Sequence, residues 1–157
     1  MEELRWVHGM VRRDLRTCRD LAAAVLAGAG AGAVRDSLAA LQTGGPLWQL
    51  RAGCLRYCYF VHHHHRAEDV MLFAGLRRAD PALGPTLDRL QADHREVSGL
   101  LDRIEQAAGR LGGDGEGDAR PDLLAALEEL SGTLLAHLDV EERALEPILQ
   151  RLDDWPF

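Results

Sequence analysis

Four long segments of the chain carry apolar residues at steps of three and four, and a histidine falls on the apolar stripe of each segment. Such steps are typical of a helix with one buried face. The first stripe contains Leu4, His8, Val11, Leu15 and Ala22, the third contains Leu87, Leu90, His94, Val97 and Leu101, and the fourth contains Leu127, Leu130, Leu134, His137, Glu141 and Leu145. Helices of this kind must pack against one another, and each of these four brings a polar group into the interior.

Stretches rich in Gly and Pro separate the four segments and predict short connections between helices. These stretches are GAGAG at 28–32 with TGGP at 43–46, RADPALGP at 78–85, and GGDGEGDARP at 112–121. We expect helices over about 2–27 and 47–79, a third after Pro85 and a fourth from Pro121, with a short extra helix at about 33–42. The predicted fold is all-α, an antiparallel up-down-up-down four-helix bundle.

Composition limits the classes of function. The chain has 157 residues, which suits a single domain over 1–157. Its net charge is −7 and it contains no lysine, so we expect no nucleic-acid partner. The weakly polar run at 21–34 is too short to span a bilayer, which takes about 20 apolar residues, and the first ten residues do not resemble a signal peptide. Three cysteines do not form a disulfide framework, and we expect a cytoplasmic protein without a membrane partner.

Two pairs of polar residues have the spacing that a metal site on helices requires. His64 and Glu68 are four residues apart, as are His137 and Glu141, so each pair lies about 40° apart on one helix face. A single buried histidine is more often a core residue with a hydrogen-bond partner. Burial on four helices at once would cost several kcal/mol for each unpartnered group, and a shared metal removes that cost. Imidazole with carboxylate suits iron or manganese better than structural zinc.

The heights of these residues along the bundle also agree. At one end of such a bundle lie the starts of the first and third helices and the ends of the second and fourth. Measured from that end, His8 is 7 residues in from Met1 and His94 is 9 residues in from Pro85. Glu68 lies 11 residues before Ala79, and Glu141 lies 10 residues before Arg151. At about 1.5 Å per residue, the four levels agree within about one turn, which favours one common site.

In the run FVHHHHRAED, residues 60–69, the helical phase decides which of the four histidines point toward the bundle interior. If His64 and Glu68 point inward, His62 and His63 point roughly 120–140° away, toward solvent or a flank. His65 lies about 80° to one side, at the seam with a neighbouring helix, where it is a candidate side ligand. Tyr57 returns to the inward face seven residues before His64, where it packs or lines a pocket.

This combination of residues resembles the hemerythrin family, specifically the bacterial hemerythrin-like HHE cation-binding domains. The matching motifs are His8, HHRAE at 64–68, ADH at 92–94 and HLDVE at 137–141, with LF at 72–73 and EE at 141–142. The resemblance implies two non-haem iron ions joined by an oxo or hydroxo bridge, with Mn or Zn less expected. It implies carboxylate bridges from Glu68 and Glu141 and histidine ligands at positions 8, 64, 94 and 137.

The third helix departs from the oxygen-carrying members of that family, which carry two histidines four residues apart. Here His94 is followed at the fourth position by Ser98. Whether His65 takes the missing place is left open by the sequence. The departure argues against simple reversible oxygen carriage, because a changed ligand set alters oxygen affinity.

Three functions remain open at this point. The first is a di-iron protein that binds or reacts with a small oxidant, namely O2, peroxide or NO. The second is a di-iron catalase or peroxidase, and the third is an iron-responsive regulatory or interaction module whose fold depends on metal. The oligomeric state does not follow from the sequence.

Overall fold

The computed structural model of the chain describes residues 2–28, 46–111 and 118–151. Over these residues the predicted antiparallel up-down-up-down bundle is confirmed. The elements are α1 (Glu2–Ala27), α2 (Pro46–Ala67), a π-helical turn (Glu68–Phe73), α3 (Ala74–Ala79), a 3-10 turn (Pro81–Leu83), α4 (Gly84–Arg110) and α5 (Ala119–Leu149). Because α2, the π turn and α3 are continuous, they form one long helix of the bundle. The extra helix expected at about 33–42 lies outside the described residues.

Two helix starts lie slightly earlier than the prolines that predicted them. Helix α4 begins at Gly84 instead of after Pro85, and α5 begins at Ala119 instead of Pro121. The Asp118 side chain accepts a hydrogen bond of 3.0 Å from the backbone N–H of Arg120. A carboxylate at this position satisfies a backbone donor that has no partner within the helix, so the aspartate rather than the proline sets the start.

The helices form a ring in which each packs against two neighbours. Helix α1 contacts α2 and α5, and α4 contacts α2 and α5. The buried apolar residues divide into two clusters along this ring. We call the larger one the large core; it includes Val11, Leu15, Val61, Val97, Leu101, Leu130 and Leu134. We call the smaller one the end cluster; it consists of Leu4, Leu72, Phe73, Leu76, Leu87, Leu90 and Leu145. The buried histidines and glutamates lie between the two.

The large core also contains the cysteines. Cys18, Cys54 and Cys58 are all buried and free. Tyr57 packs in the same cluster, and its buried hydroxyl has no hydrogen-bond partner among the described residues. Its position agrees with packing. Within the described ranges, no helix is long and apolar enough to cross a bilayer.

Candidate metal centre

Seven polar side chains from all four long helices meet between the two apolar clusters. The apolar stripes bring them there, because each residue occupies a position one helical step from buried leucines or valines. The residues are His8 on α1, His64 and His65 on α2, Glu68 at the start of the π turn, His94 on α4, and His137 and Glu141 on α5. All are buried except His64, whose side chain is 10% exposed. We call this group the polar layer.

The carboxylate of Glu68 lies between histidines of different helices. Its Oε1 is 3.3 Å from His64 Nε2 and 3.8 Å from His8 Nε2. Its Oε2 is 3.7 Å from His94 Nε2, on the other side. One oxygen therefore faces each half of the polar layer, which is the placement that a carboxylate bridging two cations requires.

Glu141 makes a similar connection from the opposite helix. Its Oε2 lies 3.5 Å from His8 Nε2 and 3.5 Å from His137 Nε2. The two glutamates enter from α5 and from the helix that α2 begins, and both reach the centre of the bundle. The polar layer is thus spanned twice by carboxylate.

The imidazoles separate into a pair and a trio. His8 and His64 form one group with Glu68, and their candidate ligand atoms lie within 4.8 Å of one another. His65, His94 and His137 form a second group of the same compactness. The His65 and His94 rings are stacked with their centroids 4.1 Å apart. His65 therefore lies inside the polar layer, on its three-imidazole side.

Most of the inward-facing atoms have no hydrogen-bond partner within the described protein. They are Nε2 of His8, His64, His65, His94 and His137, and both carboxylate oxygens of Glu68 and Glu141. Leaving so many buried polar atoms without partners costs roughly 1–3 kcal/mol for each. A donor set of imidazole nitrogens and carboxylate oxygens that converges in this way fits divalent cations of the iron, manganese or zinc type.

A second set of carboxylates holds the outer nitrogens of these histidines. His8 Nδ1 lies 2.8 Å from Glu142 Oε1, and His94 Nδ1 lies 2.9 Å from Asp69 Oδ1. A neutral imidazole carries one proton, so donation from Nδ1 leaves a lone pair on the inward Nε2. This arrangement orients histidine ligands and raises their basicity in metal proteins.

The sequence reasoning did not identify these outer carboxylates, although a signal for them exists. Asp69 follows Glu68 directly, and Glu142 follows Glu141. Asp93, the residue before His94, is 3.7 Å from Nδ1 of His137. In each case an acidic residue is adjacent in sequence to a residue of the polar layer. Two consecutive polar residues, one of them on an apolar stripe, were therefore the signal in the sequence.

Burial sets the charge state of the polar layer in the absence of metal. Burial away from solvent lowers the pKa of His8 to about 4, and it lowers the pKa of His64 and His94 to about 3. Loss of water, with the charge of Glu142 next, raises the pKa of Glu141 to about 8. The imidazoles are therefore neutral at pH 7, which is the form that binds metal.

Glu68 begins a π-helical turn that the sequence reasoning did not predict. The turn runs from Glu68 to Phe73, and the Phe73 ring stacks on that of His94 at a centroid distance of 5.4 Å. Single π turns inside α-helices are frequent at functional sites. At the start of this turn, consecutive acids serve different parts of one site: Glu68 enters the polar layer and Asp69 reaches the outer nitrogen of His94.

The model of the hemerythrin HHE cation-binding domain matches residues 1–149 of the chain. The chain belongs to this hemerythrin family. Comparisons with curated proteins and with solved structures found no match. The family assignment agrees with the helical bundle, and hemerythrin-like domains bind metal ions.

The hemerythrin-like chain also shows what occupies the position of the missing histidine. Ser98 does not enter the polar layer; its Oγ is 3.5 Å from Nδ1 of His62, at the seam between α2 and α4. His63 is exposed, and its ring lies 4.3 Å from that of Tyr59. Both histidines thus lie away from the polar layer, on the sides that helical phase predicts.

One side of this hemerythrin-like bundle has a pocket that reaches the polar layer. The pocket has a volume of about 170 Å³ and lies between α1 and the helix that α2 begins. Its lining consists of Glu3, Leu4, Val7, His64, Ala67, Glu68, Met71 and Leu72. Because His64 and Glu68 belong to the two-imidazole group, the pocket leads to that half of the layer. Met71, at the wall of this pocket, is about half exposed.

Proposed function

We propose that the polar layer holds two iron ions and that a small oxidant binds at one of them. In this assignment His8 and His64 bind one ion, and His65, His94 and His137 bind the other. Glu68 and Glu141 bridge the two. The single observation that supports it most is the set of converging, unpartnered nitrogen and oxygen atoms buried at the centre of the bundle.

The two ions would differ in access. The ion on the three-imidazole side lies among His65, His94 and His137, which are all buried. The ion on the two-imidazole side has fewer nitrogen ligands, and the pocket ends at its His64 and Glu68. We propose that the oxidant approaches through this pocket and takes the position that the protein ligands leave open. A redox-active metal pair would supply the electrons for such an oxidant.

The pocket lining favours one class of oxidant. Apart from Glu3 and the two residues of the polar layer, the lining is aliphatic or thioether. O2 and NO are small and weakly polar, so such a passage admits them at little cost. Peroxide would leave its hydrogen bonds to water on entry. We therefore place binding of O2 or NO first and peroxide decomposition second.

The surrounding residues would hold the ligands in place. Glu142 accepts a hydrogen bond from His8 and a second, of 2.8 Å, from Arg12 Nη1. Asp69 accepts the corresponding hydrogen bond from His94. Both contacts fix the ring orientation and direct Nε2 toward the centre. Outside the layer, the apolar clusters limit the entry of water along the bundle axis.

Metal content and the optical spectrum test the proposal directly. We expect about two irons per chain in the wild type and roughly one or none in His64→Ala, because a ligand is lost. The control is His63→Ala, which alters the adjacent exposed histidine and should keep both irons. Equal iron content in the two variants would contradict the assignment of His64.

The type of oxidant is tested separately on the iron-loaded protein. A spectral change that reverses between oxygen and argon, or that appears with NO, supports ligand binding. Rapid O2 release on addition of peroxide, absent in His64→Ala and kept in His63→Ala, supports the catalase alternative. A narrowing of the pocket by Val7→Phe should slow the O2 or NO reaction without changing iron content.

A further inference from the structure

A second group of candidate ligands lies outside the polar layer, at the seam between α2 and α4. It consists of His62, Asp102 and Glu105, whose candidate ligand atoms lie within 4.8 Å of one another. His62 Nε2 lies 3.6 Å from Asp102 Oδ1. His62 and Glu105 are partly buried and Asp102 is exposed, so the group is open to solvent on one side.

Ser98 contacts the ring nitrogen of His62 that faces away from Asp102. Its hydroxyl oxygen lies 3.5 Å from His62 Nδ1, while Nε2 of the same ring faces Asp102. A contact to one ring nitrogen that directs the other toward carboxylate is the usual support of a histidine ligand. The residue that replaces a histidine of the oxygen-carrying hemerythrins is thus engaged at a different place, in contact with His62.

The two acids of this group also differ from three other surface acids in their ion pairs. Asp88, Asp122 and Glu129 each pair with an arginine at 2.7 to 3.0 Å. Within the described ranges, the ion pair of Asp102 is with His62 alone, and Glu105 forms none. Asp102 therefore contacts His62, Glu105 lies close by, and in the described part of the chain neither carboxylate is paired with an arginine.

We propose that His62, Asp102 and Glu105 form a second, surface site for a first-row divalent cation such as Zn²⁺. Imidazole nitrogen and carboxylate oxygen bind Zn²⁺ at about 2.0–2.2 Å, so two ligands of one ion lie at most about 4.4 Å apart. The 3.6 Å between His62 and Asp102 is within this limit, and the 4.8 Å that bounds the whole group exceeds it slightly, so small side-chain rotations complete the site. Water fills the remaining positions. This site is independent of the iron proposed for the polar layer.

Zn²⁺ titration of the full chain, with its polar layer already loaded with metal, tests the proposal by calorimetry. We expect the wild type and His63→Ala to bind one more Zn²⁺ than His62→Ala. Elemental analysis before and after the titration establishes that Zn²⁺ has not displaced the resident metal. If His62→Ala binds Zn²⁺ as the wild type does, the proposal is overturned, whatever the polar layer contains.

Further variants test Glu105 and the contact of Ser98 with His62 without disturbing the core. Glu105→Gln removes a proposed ligand, and Glu96→Gln is its control, because Glu96 is an exposed acid of the same helix outside the group. We expect at least about tenfold weaker Zn²⁺ binding in the first and no change in the second. Ser98→Ala should weaken binding roughly 10–100-fold through loss of the His62 orientation. Unchanged affinity in Glu105→Gln would remove the two-carboxylate site.

Discussion

The polar layer divides the interior of the bundle into two unequal apolar parts. The large core has buried residues from all four long helices over most of their length and continues through Leu123 and Ile104 to the far end. The end cluster has seven buried residues. Its Leu87 and Leu90 lie on the same helix as Val97 of the large core, and His94 separates them from Val97. Among the described residues, the two parts share helices but form separate apolar clusters.

Because the two parts bury different numbers of apolar side chains, they differ in what stabilises them. Burial of an aliphatic side chain contributes roughly 1.5–3 kcal/mol, so the large core has a substantial driving force of its own. The end cluster has few such side chains and rests on buried polar atoms that lack protein partners. If cations bind these atoms, metal binding adds directly to the stability of that end of the bundle.

Removal of metal should have the largest effect. A ligand present at a thousand times its dissociation constant stabilises the folded state by about 4 kcal/mol. We expect chelation to accelerate amide hydrogen exchange in the end cluster, at residues such as Leu76 and Leu90, more than around Leu101 and Leu130 in the large core. Mass-spectrometric exchange with and without chelator measures both regions in one experiment. Equal acceleration in both would mean that the two parts unfold as one.

Truncation of matched leucines compares the two parts directly. Leu130 in the large core and Leu87 in the end cluster are each 0% exposed. In the metal-loaded protein we expect Leu130→Ala and Leu87→Ala to cost about 3 kcal/mol each. In the metal-free protein the cost of Leu87→Ala should fall, because the end cluster is already loosened, and that of Leu130→Ala should not. Urea denaturation of both variants in both states measures this. Equal costs for Leu87→Ala with and without metal would contradict the comparison.

The metal-free protein should lose stability as the pH rises above 7. The folded-state pKa of Glu141 is raised from 4.5 to about 8, so its contribution is fully present below pH 4.5 and is lost as the pH rises through 8. Between pH 7 and pH 8 the loss is about 1 kcal/mol. The five lowered histidine pKa values oppose this loss by roughly 0.1 kcal/mol each, because about a quarter of each unfolded imidazole is still protonated at pH 7. The loss that comes from Glu141 is therefore the difference between the wild type and Glu141→Gln. Urea denaturation at the two pH values measures the change, and Glu141→Gln should lack it.

Surface ion pairs should have the smallest effect, at either end of the bundle. Arg103 Nη1 lies 2.7 Å from Glu129 Oε2, and both side chains are about half exposed. Arg77 makes a similar contact with Asp88 near the end cluster. We expect Arg103→Ala and Arg77→Ala each to cost less than about 1 kcal/mol, with iron content unchanged. Thermal melting checks this, and a large loss in Arg77→Ala alone would mean that the end cluster depends on surface charge as well as metal.

Much of the fold could be predicted from the sequence, because the apolar stripes have a clear helical period. The buried residues of α1, α4 and α5 include every member of the three stripes. The helix starts were less predictable, since Asp118 rather than Pro121 satisfies the first backbone donors of α5. The terminal segment DDWPF and the expected helix at 33–42 lie outside the described residues.

The candidate site was predictable in its members but not in its details. Helical phase and height bring the polar residues together, and the structure places all seven in one layer; their role as metal ligands stays a prediction. The π turn at Glu68 was not predictable, because no residue type in EDVMLF requires it. The contacts of Glu142 with His8 and of Asp69 with His94 depend on side-chain rotation across helices, which spacing alone does not determine.

The polar layer also bears on how the helices align lengthwise. Stripes of Leu and Ala are nearly interchangeable, so a helix that slid by one turn would find equivalent apolar contacts. Helices α2 and α5, which lie diagonally across the ring, place the rings of His65 and His137 5.3 Å apart. Because His137 and Glu141 are four residues apart, sliding α5 by one turn would move one of them out of the polar layer and among apolar residues, at a cost of several kcal/mol. We infer that the polar layer selects one axial register for the bundle from several that apolar packing would accept.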